Sequence, residues 1–206
     1  TQFLSGLKKY FYNINFDLIL YSTPPITFTK VIKYVKKKNN AKSYLLLKDI
    51  FPQNAVDLGM TKFNGFIYNY FRKKEKELYN ISDFVGCMSP ANVKYLIENN
   101  KELDKDKIEV NPNSIKVQNN NLDTSKIVEI KERLNIPQNS VLFLYGGNLG
   151  LPQGIEFLLD IIEKLKDENR IFFLIIGSGT KYKDIKSRLE KINAKHALFL
   201  DSLPKN

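Results

Sequence analysis

The fold turns on "LYGGNLGLPQGIEFLLDIIEKL", residues 144–165. Val141 to Tyr145 reads as a short buried strand, and Ile155, Leu158, Leu159, Ile162 and Leu165 then recur at helical spacing. Gly146, Gly147 and Gly150 therefore fall at a strand-to-helix junction. The first N–H groups of a helix have no acceptor within it, and the helix dipole adds positive potential there. Such a junction suits an anion, and glycine lets the anion approach the main chain. A phosphorylated ligand is the candidate. Glycine turns also open helices that bind nothing, and the motif alone leaves both readings standing.

Outward from this junction, apolar runs alternate with helix-length segments along the whole chain. "FDLILYS", "SYLLLKDI", "DFVGCMS", "KIEVNP", "VLFLYGG", "FFLIIGSG" and "ALFLDSL" are the strands. Strands separated by helices indicate parallel α/β units, with ligands expected at the carboxyl ends of the strands. "PITFTKVIKYVKKK" is read as a helix starting at its proline, and "KYKDIKSRLEKI" sets Ile185, Leu189 and Ile192 on one face. The polar stretch "NPNSIKVQNNNLDTS", residues 111–125, marks a linker. It divides the chain into residues 1–116, with four strands, and 117–206, with three. Each piece is small for a doubly wound domain.

Composition narrows the function. With 206 residues, 43% of them hydrophobic, the chain can bury a real core. Thirty-two Lys and Arg against 22 Asp and Glu give a net charge of +10, which attracts nucleic acid, anionic lipid or phosphorylated ligands. Cys87 is the sole cysteine and His196 the sole histidine, which excludes an internal disulfide, a cysteine metal cluster and a multi-histidine site. A reducing cytoplasm fits, and no metal or cofactor is expected. No apolar run approaches a membrane span, and "TQFLSGLKKYFYNINF" lacks the apolar core of a secretory signal.

Other motifs are weaker. "GGNLGLPQG" lacks the Gly-Lys-Ser/Thr ending of a Walker loop, which argues against a nucleoside triphosphatase. "FFLIIGSGTKYKDI" imitates a dinucleotide fingerprint through Gly177 and Gly179, with Asp201 about twenty residues on, but Tyr182 stands where the third glycine belongs. A glycine turn closing a strand is the plainer reading. Basic clusters occur at Lys36–Lys38 and at Arg72, Lys73, Lys74 and Lys76, the second preceded by Phe63, Phe66, Tyr70 and Phe71. Aromatic plus basic can mean nucleic acid or a lipid surface, although solvated lysine faces over a core are commoner. His196 reads as structural or exposed, and Cys87 as a buried packing residue.

Taken in order, "DFVGCMSPANVKYLI", "IEVNPNSI", "YGGNLGLPQGIEFLLDIIEKL", "FFLIIGSGTKYKDI" and "FLDSLPKN" resemble the family 4, or group 1, glycosyltransferases of the GT-B fold. "LLLKDIFPQNAVDLGM" and the "GGNLG" turn look like the bacterial branch that builds capsule and O-antigen polysaccharide, including aminosugar transferases of the fucosamine type. The resemblance implies parts of two Rossmann-like domains with parallel sheets. Residues 1–116 would belong to the acceptor-side domain and 117–206 to the domain holding a nucleotide-sugar donor, of which UDP is the expected nucleotide. It also implies retention of anomeric configuration, no divalent cation, a lipid-linked saccharide acceptor at the cytoplasmic face of the inner membrane, and no nucleic acid; the two basic clusters add an anionic membrane surface as a partner.

By the same resemblance, Gly146, Gly147, Asn148 and Gly150 match the donor diphosphate loop, and Asn148 and Gln153 stand where many relatives carry arginine and lysine. Gly177 and Gly179, with Ser202 and Leu203, correspond to the nucleotide pocket. Asp49 lies where relatives have a histidine-containing turn, so it is the catalytic or acceptor-binding candidate; capping the next helix is its alternative role. Ser89 and Asn92 correspond to a turn on the acceptor side, where Ser89 could equally be only a helix cap. The amino-terminal glycine loop and the Glu-x7-Glu segment of the family are not found, so the resemblance implies an internal piece of an enzyme, inactive by itself. A non-catalytic nucleotide- or polyanion-binding module is the alternative.

Overall fold

The seven apolar runs all become strands, and every pairing is parallel. The computed structural model describes residues 5, 6, 9–117 and 123–203. The chain divides into two units, Thr1–Val117 and Gln118–Asn206. Part of the polar stretch that holds the boundary, and the end of "SLPKN", lie outside the described residues.

In the first unit, β1 (Leu18–Ser22), β2 (Lys42–Leu47), β3 (Phe84–Cys87) and β4 (Ile108–Val110) lie in the order β1-β2-β3-β4. They alternate with α1 (Thr29–Asn39), α2 (Gln53–Asp57), α3 (Phe66–Ile81) and α4 (Pro90–Asn99). Period-2 alternation along β2 sends Ser43, Leu45 and Leu47 inward, where the two leucines join Ile26, Ile32, Leu78, Val85, Cys87 and Leu96 in one core. The helix expected from Pro25 begins instead at Thr29. Ile26 is buried in that core, and the Phe28 carbonyl accepts the N–H groups of Val31 and Ile32, so residues 25–28 form the turn that leads in.

In the second unit, β5 (Val141–Asn148), β6 (Ile171–Ser178) and β7 (Ala197–Leu200) form a sheet in that order. α5 (Thr124–Arg133) precedes it, while α6 (Ile155–Lys164) and α7 (Tyr182–Lys191) alternate with its strands. β6 is buried on both faces. Phe173 and Ile175 meet Leu149, Ile155, Leu159, Ile162 and Ile185 on one side, and Phe172 and Leu174 meet Ile136 on the other. A strand covered twice reads as a continuous apolar run, which is how "IFFLIIG" looks.

Candidate functional site

The donor-side candidates gather along one edge of the second sheet, where β5, β6 and β7 end. β5 runs further than its apolar residues do. Gly146 pairs with Ile176, Gly147 with Gly177 and Asn148 with Ser178. Gly146 and Gly147 therefore belong to the strand and not to the helix start, a correction to the sequence reading. The missing side chains are the reason the ladder can continue: a Cβ on Gly177 would lie 2.0 Å from the Gly147 carbonyl oxygen. α6 itself starts only at Ile155, after a single 3-10 turn over Leu151–Gln153 and Gly154, whose φ of 60° is left-handed and favours glycine.

Between strand and helix, Leu149 is fully buried and pinned by its backbone. Its N–H donates to the Ser178 carbonyl at 2.9 Å, and its carbonyl accepts the Lys181 N–H at 2.9 Å. A Cβ at Gly179 would meet that Leu149 carbonyl at 2.4 Å. Gly177 and Gly179 thus shape the edge by letting two stretches of main chain touch. Gly146 differs: no heavy atom lies within 4 Å of where its Cβ would be, so it faces open space.

Uncharged side chains brace the turn. The Gln153 amide oxygen accepts the Gly150 N–H at 3.1 Å and the Asn148 amide at 3.2 Å, and the Tyr145 hydroxyl donates to the Asn148 carbonyl at 2.7 Å. Asn148 and Gln153 therefore bond to each other. A basic side chain beside the turn comes from a position the sequence reading passed over. Lys181 sits in "GSGTKY", a segment noted for its glycines, and its ammonium lies 3.1 Å from Asp184 and 3.6 Å from Glu156. The Asp184 hydrogen bond first, then the two carboxylate charges, hold its pKa above the ordinary lysine value. Ser202 and Leu203 follow β7 as exposed coil. Asp201 accepts a hydrogen bond from the Tyr182 hydroxyl, which engages the acid that a dinucleotide ribose would need.

The acceptor-side candidates occupy the corresponding edge of the first sheet. Asp49 is exposed just beyond β2, and its backbone is clasped by buried Thr23, whose Oγ1 donates to the Asp49 carbonyl at 3.0 Å. It does not cap the next helix, because the N-cap of α2 is Pro52, with no side-chain bond. Ser89 is the N-cap of α4: its hydroxyl accepts the Asn92 N–H at 3.2 Å, and Pro90 occupies the first helical position. Thr23 is a second residue without a sequence signal, since one threonine after a strand has no periodicity to mark it.

The remaining singled-out residues are structural. Cys87 is fully buried, and burial pushes its thiol up to about 11. His196 bonds the Ile162 carbonyl through Nε2 at 3.1 Å and packs edge-on to Phe173. Among the described residues, no three His, Cys, Asp or Glu side chains come together as metal ligands would, and no helix is long and apolar enough to cross a membrane.

No protein-family model matches the chain, but individual proteins do, by sequence and by fold. "Probable glycosyltransferase WbjE" of Pseudomonas aeruginosa is 26% identical over 194 residues, which is 91% of this chain and 46% of WbjE. WcaI of Escherichia coli strain K12, provisionally named a colanic acid biosynthesis glycosyl transferase, is 36% identical over 69 residues, 34% of this chain and 16% of WcaI. Among solved structures, Anabaena Alr3699/HepE in complex with UDP and glucose superposes with a TM-score of 0.67 at 13% identity, covering 98% of this chain and 51% of HepE. The chain thus spans about half the length of WbjE and of HepE. With parallel strands in both sheets and this likeness, its fold is α/β of the GT-B type.

Proposed function

We propose that the protein is a retaining glycosyltransferase that moves a sugar from a nucleotide-diphosphate donor to a growing cell-surface saccharide carried on polyprenyl diphosphate. It would work in the cytoplasm, peripherally at the inner membrane face. The observation that carries this reading is the edge of the second sheet, where Gly146 leaves the main chain open to an approaching group while Gly177 and Gly179 close the strands beneath it. HepE was crystallised with UDP and with UDP-glucose, which supports a sugar nucleotide as donor. The names of WbjE and WcaI support glycosyl transfer, and that of WcaI supports a place in the biosynthesis of a polymer such as colanic acid. The sugar moved is a hexose or an aminosugar, the second drawn from the likeness of "LLLKDIFPQNAVDLGM" to aminosugar transferases.

In this reading the bond between the sugar and the diphosphate breaks, with positive charge developing on the sugar and negative charge on the leaving phosphate. Main-chain N–H groups around Gly146, Gly147 and Asn148 stabilise that negative charge without having to reorganise, while Gly150, its own N–H taken by Gln153, keeps the diphosphate turn in shape. Gln153 holds Gly150 in place, and Ser202 and Leu203 meet the base. On the first unit, Asp49, Ser89 and Asn92 serve the acceptor. Calorimetric titration with UDP tests the donor half. Gly146→Val places its side chain in space the protein does not use, so the fold should survive while UDP affinity falls by roughly tenfold or more, and Gln153→Ala should cost less. Equal UDP affinity in both variants and the parent would remove the phosphate assignment. Steeply salt-dependent binding of single-stranded nucleic acid, without saturable UDP binding, would favour the polyanion module instead.

A further inference from the structure

Leu58 to Lys74, "LGMTKFNGFIYNYFRKK", runs for seventeen residues without an aspartate or glutamate while carrying Lys62, Arg72, Lys73 and Lys74. Its apolar residues do not all go inside. Phe66 is 88% exposed, and Met60, Phe63, Ile67 and Tyr70 each leave more than half of their surface exposed. Single exposed apolar residues need no explanation, but five within eleven positions are a concentration, in which Phe63 packs on Tyr68 while Phe66, Ile67 and Tyr70 stand out at the start of α3.

The helix presents one face to solvent at its start. α3 turns Tyr68, Glu75, Leu78 and Tyr79 into the molecule, while Phe66 and Tyr70 lie on the opposite face at its start, with Lys73 one turn beyond Tyr70 on that face and Ile67 exposed on the flank. Lys74 is paired with Glu77 at 2.9 Å, and Arg72 with Glu75. Lys62 and Lys73 are exposed and neither is within ion-pair distance of an acid among the described residues, although the Lys73 charge is felt by Glu77, so each end of this stretch presents a cation to solvent. α3 also begins at Gly65 with no side-chain cap and no acid in its first turn. The other basic cluster behaves differently. Lys36 is bound to Asp83 at 2.6 Å and to the Ile81 carbonyl, and Lys38 lies over the Tyr12 ring.

We propose that residues 60–74 are a membrane-docking surface. Phe66, Ile67 and Tyr70 enter the boundary between headgroups and acyl chains of an anionic bilayer, and Lys62 and Lys73 meet its phosphates. A symmetric contact with a second copy would bring these cations together, whereas an anionic surface neutralises them. The inference deepens the reading of a lipid-linked acceptor at a membrane, and it names the part of the molecule that reaches the lipid.

The chain contains no tryptophan, so Phe66→Trp supplies the only indole, which is excited at longer wavelength than the 11 tyrosines, at an exposed position, with Phe157→Trp in the second unit as the control. With phosphatidylglycerol vesicles, the indole emission of the Phe66→Trp variant should shift to shorter wavelength and be quenched by acyl-chain-brominated lipid. Phosphatidylcholine vesicles and the control position should give neither effect. Combined Phe66→Ser, Ile67→Ser and Tyr70→Ser substitution should lower partitioning by about tenfold with unchanged circular dichroism, and Lys37→Glu should lower it much less. Sedimentation with anionic vesicles without the Phe66→Trp response would overturn the docking surface while leaving a peripheral membrane protein. No sedimentation at all would overturn both. A blue shift that appears without lipid, together with a doubled mass in light scattering, would assign the patch to a second copy.

Discussion

The two units solve the same problem, a parallel sheet under helices, with different materials. Buried polar or charged residues among those described number six in the first unit (Thr23, Thr29, Ser43, Glu75, Ser82 and Asn100) and one in the second, Ser140. The first unit is stitched by side-chain hydrogen bonds between elements. Glu75 accepts from the Tyr79 hydroxyl at 2.6 Å and pairs with Arg72, which also donates to Asn100 at 2.7 Å. The second unit closes by apolar packing and by main chain passing close to main chain at glycines. The first unit should therefore respond to charge and pH, and the second to volume.

The largest expected effect is at Gly177. A Cβ there would overlap the Gly147 carbonyl oxygen at 2.0 Å, and the obstacle is backbone, so β5 and β6 would have to separate. Gly177→Val should cost about 3 to 5 kcal/mol in urea unfolding, while Gly146→Val, facing open space, should stay within about 0.5 kcal/mol of the parent. Similar losses in both variants would show that the strand ends are not held by close approach.

Next comes the buried carboxylate of the first unit. Burial pulls the Glu75 pKa up, against the opposing Tyr79 hydrogen bond and the Arg72 charge. Arg72→Met would leave this carboxylate buried with a neutral partner, and should cost about 2 to 3 kcal/mol. Arg72→Met combined with Glu75→Gln should recover much of that loss, because the uncompensated charge is gone. Additive losses in the double-mutant cycle would mean that Arg72 acts through packing alone.

A smaller effect tests the first unit by acid. Burial raises the Asp83 pKa, but hydrogen bonds from Lys36 and Ser43 outweigh it and hold the carboxyl below its usual value. A depressed folded pKa means that stability is present above the unfolded value, near pH 4, and is lost as pH falls through the lower folded value. Asp83→Asn should flatten this acid limb of the unfolding curve. An unchanged limb in Asp83→Asn would place the acid sensitivity elsewhere.

The contrast also explains what can be read from the sequence. Strands such as "IFFLIIG" are legible because burial on both faces leaves an unbroken apolar run, and α6 because Ile155, Leu159 and Ile162 repeat at helical spacing. The glycine-rich edge is legible as a place but not in its arrangement. Gly146 and Gly147 look identical in the chain, yet whether a glycine extends a strand or opens a turn depends on what lies across from it, here Gly177. The tie from Gln153 to Gly150 and the reach of Lys181 to Glu156 depend on the turn's three-dimensional course. On the first sheet, Asp49 is located by its sequence segment, while Thr23, which clasps it from 26 positions away, is visible only when β1 and β2 lie side by side. Proline at position 25 misleads because Ile26 is drawn into the core, which delays the helix to Thr29.

The smallest effect tests the first unit at the other end of the pH scale. The Tyr21 hydroxyl lies 2.6 Å from Ser82 Oγ, and Ser82 spends its own proton on the Leu78 carbonyl at 2.8 Å, so Tyr21 is the donor. Burial, aided by the nearby Asp83 charge, pushes the phenol up to about 12. A raised folded pKa means that its contribution is complete below the unfolded value, near pH 10, and is lost as pH rises through the folded one. The chain has 11 tyrosines and no tryptophan, so phenolate absorbance can be followed without interference from indole. The difference titration between the parent and Tyr21→Phe should show one phenol ionising late, together with the loss of part of the alkaline decline in stability. If the missing phenol titrates at the ordinary value instead, the bond between β1 and the end of α3 is too loose to exclude water, and the first unit depends less on buried polar contacts than its structure indicates.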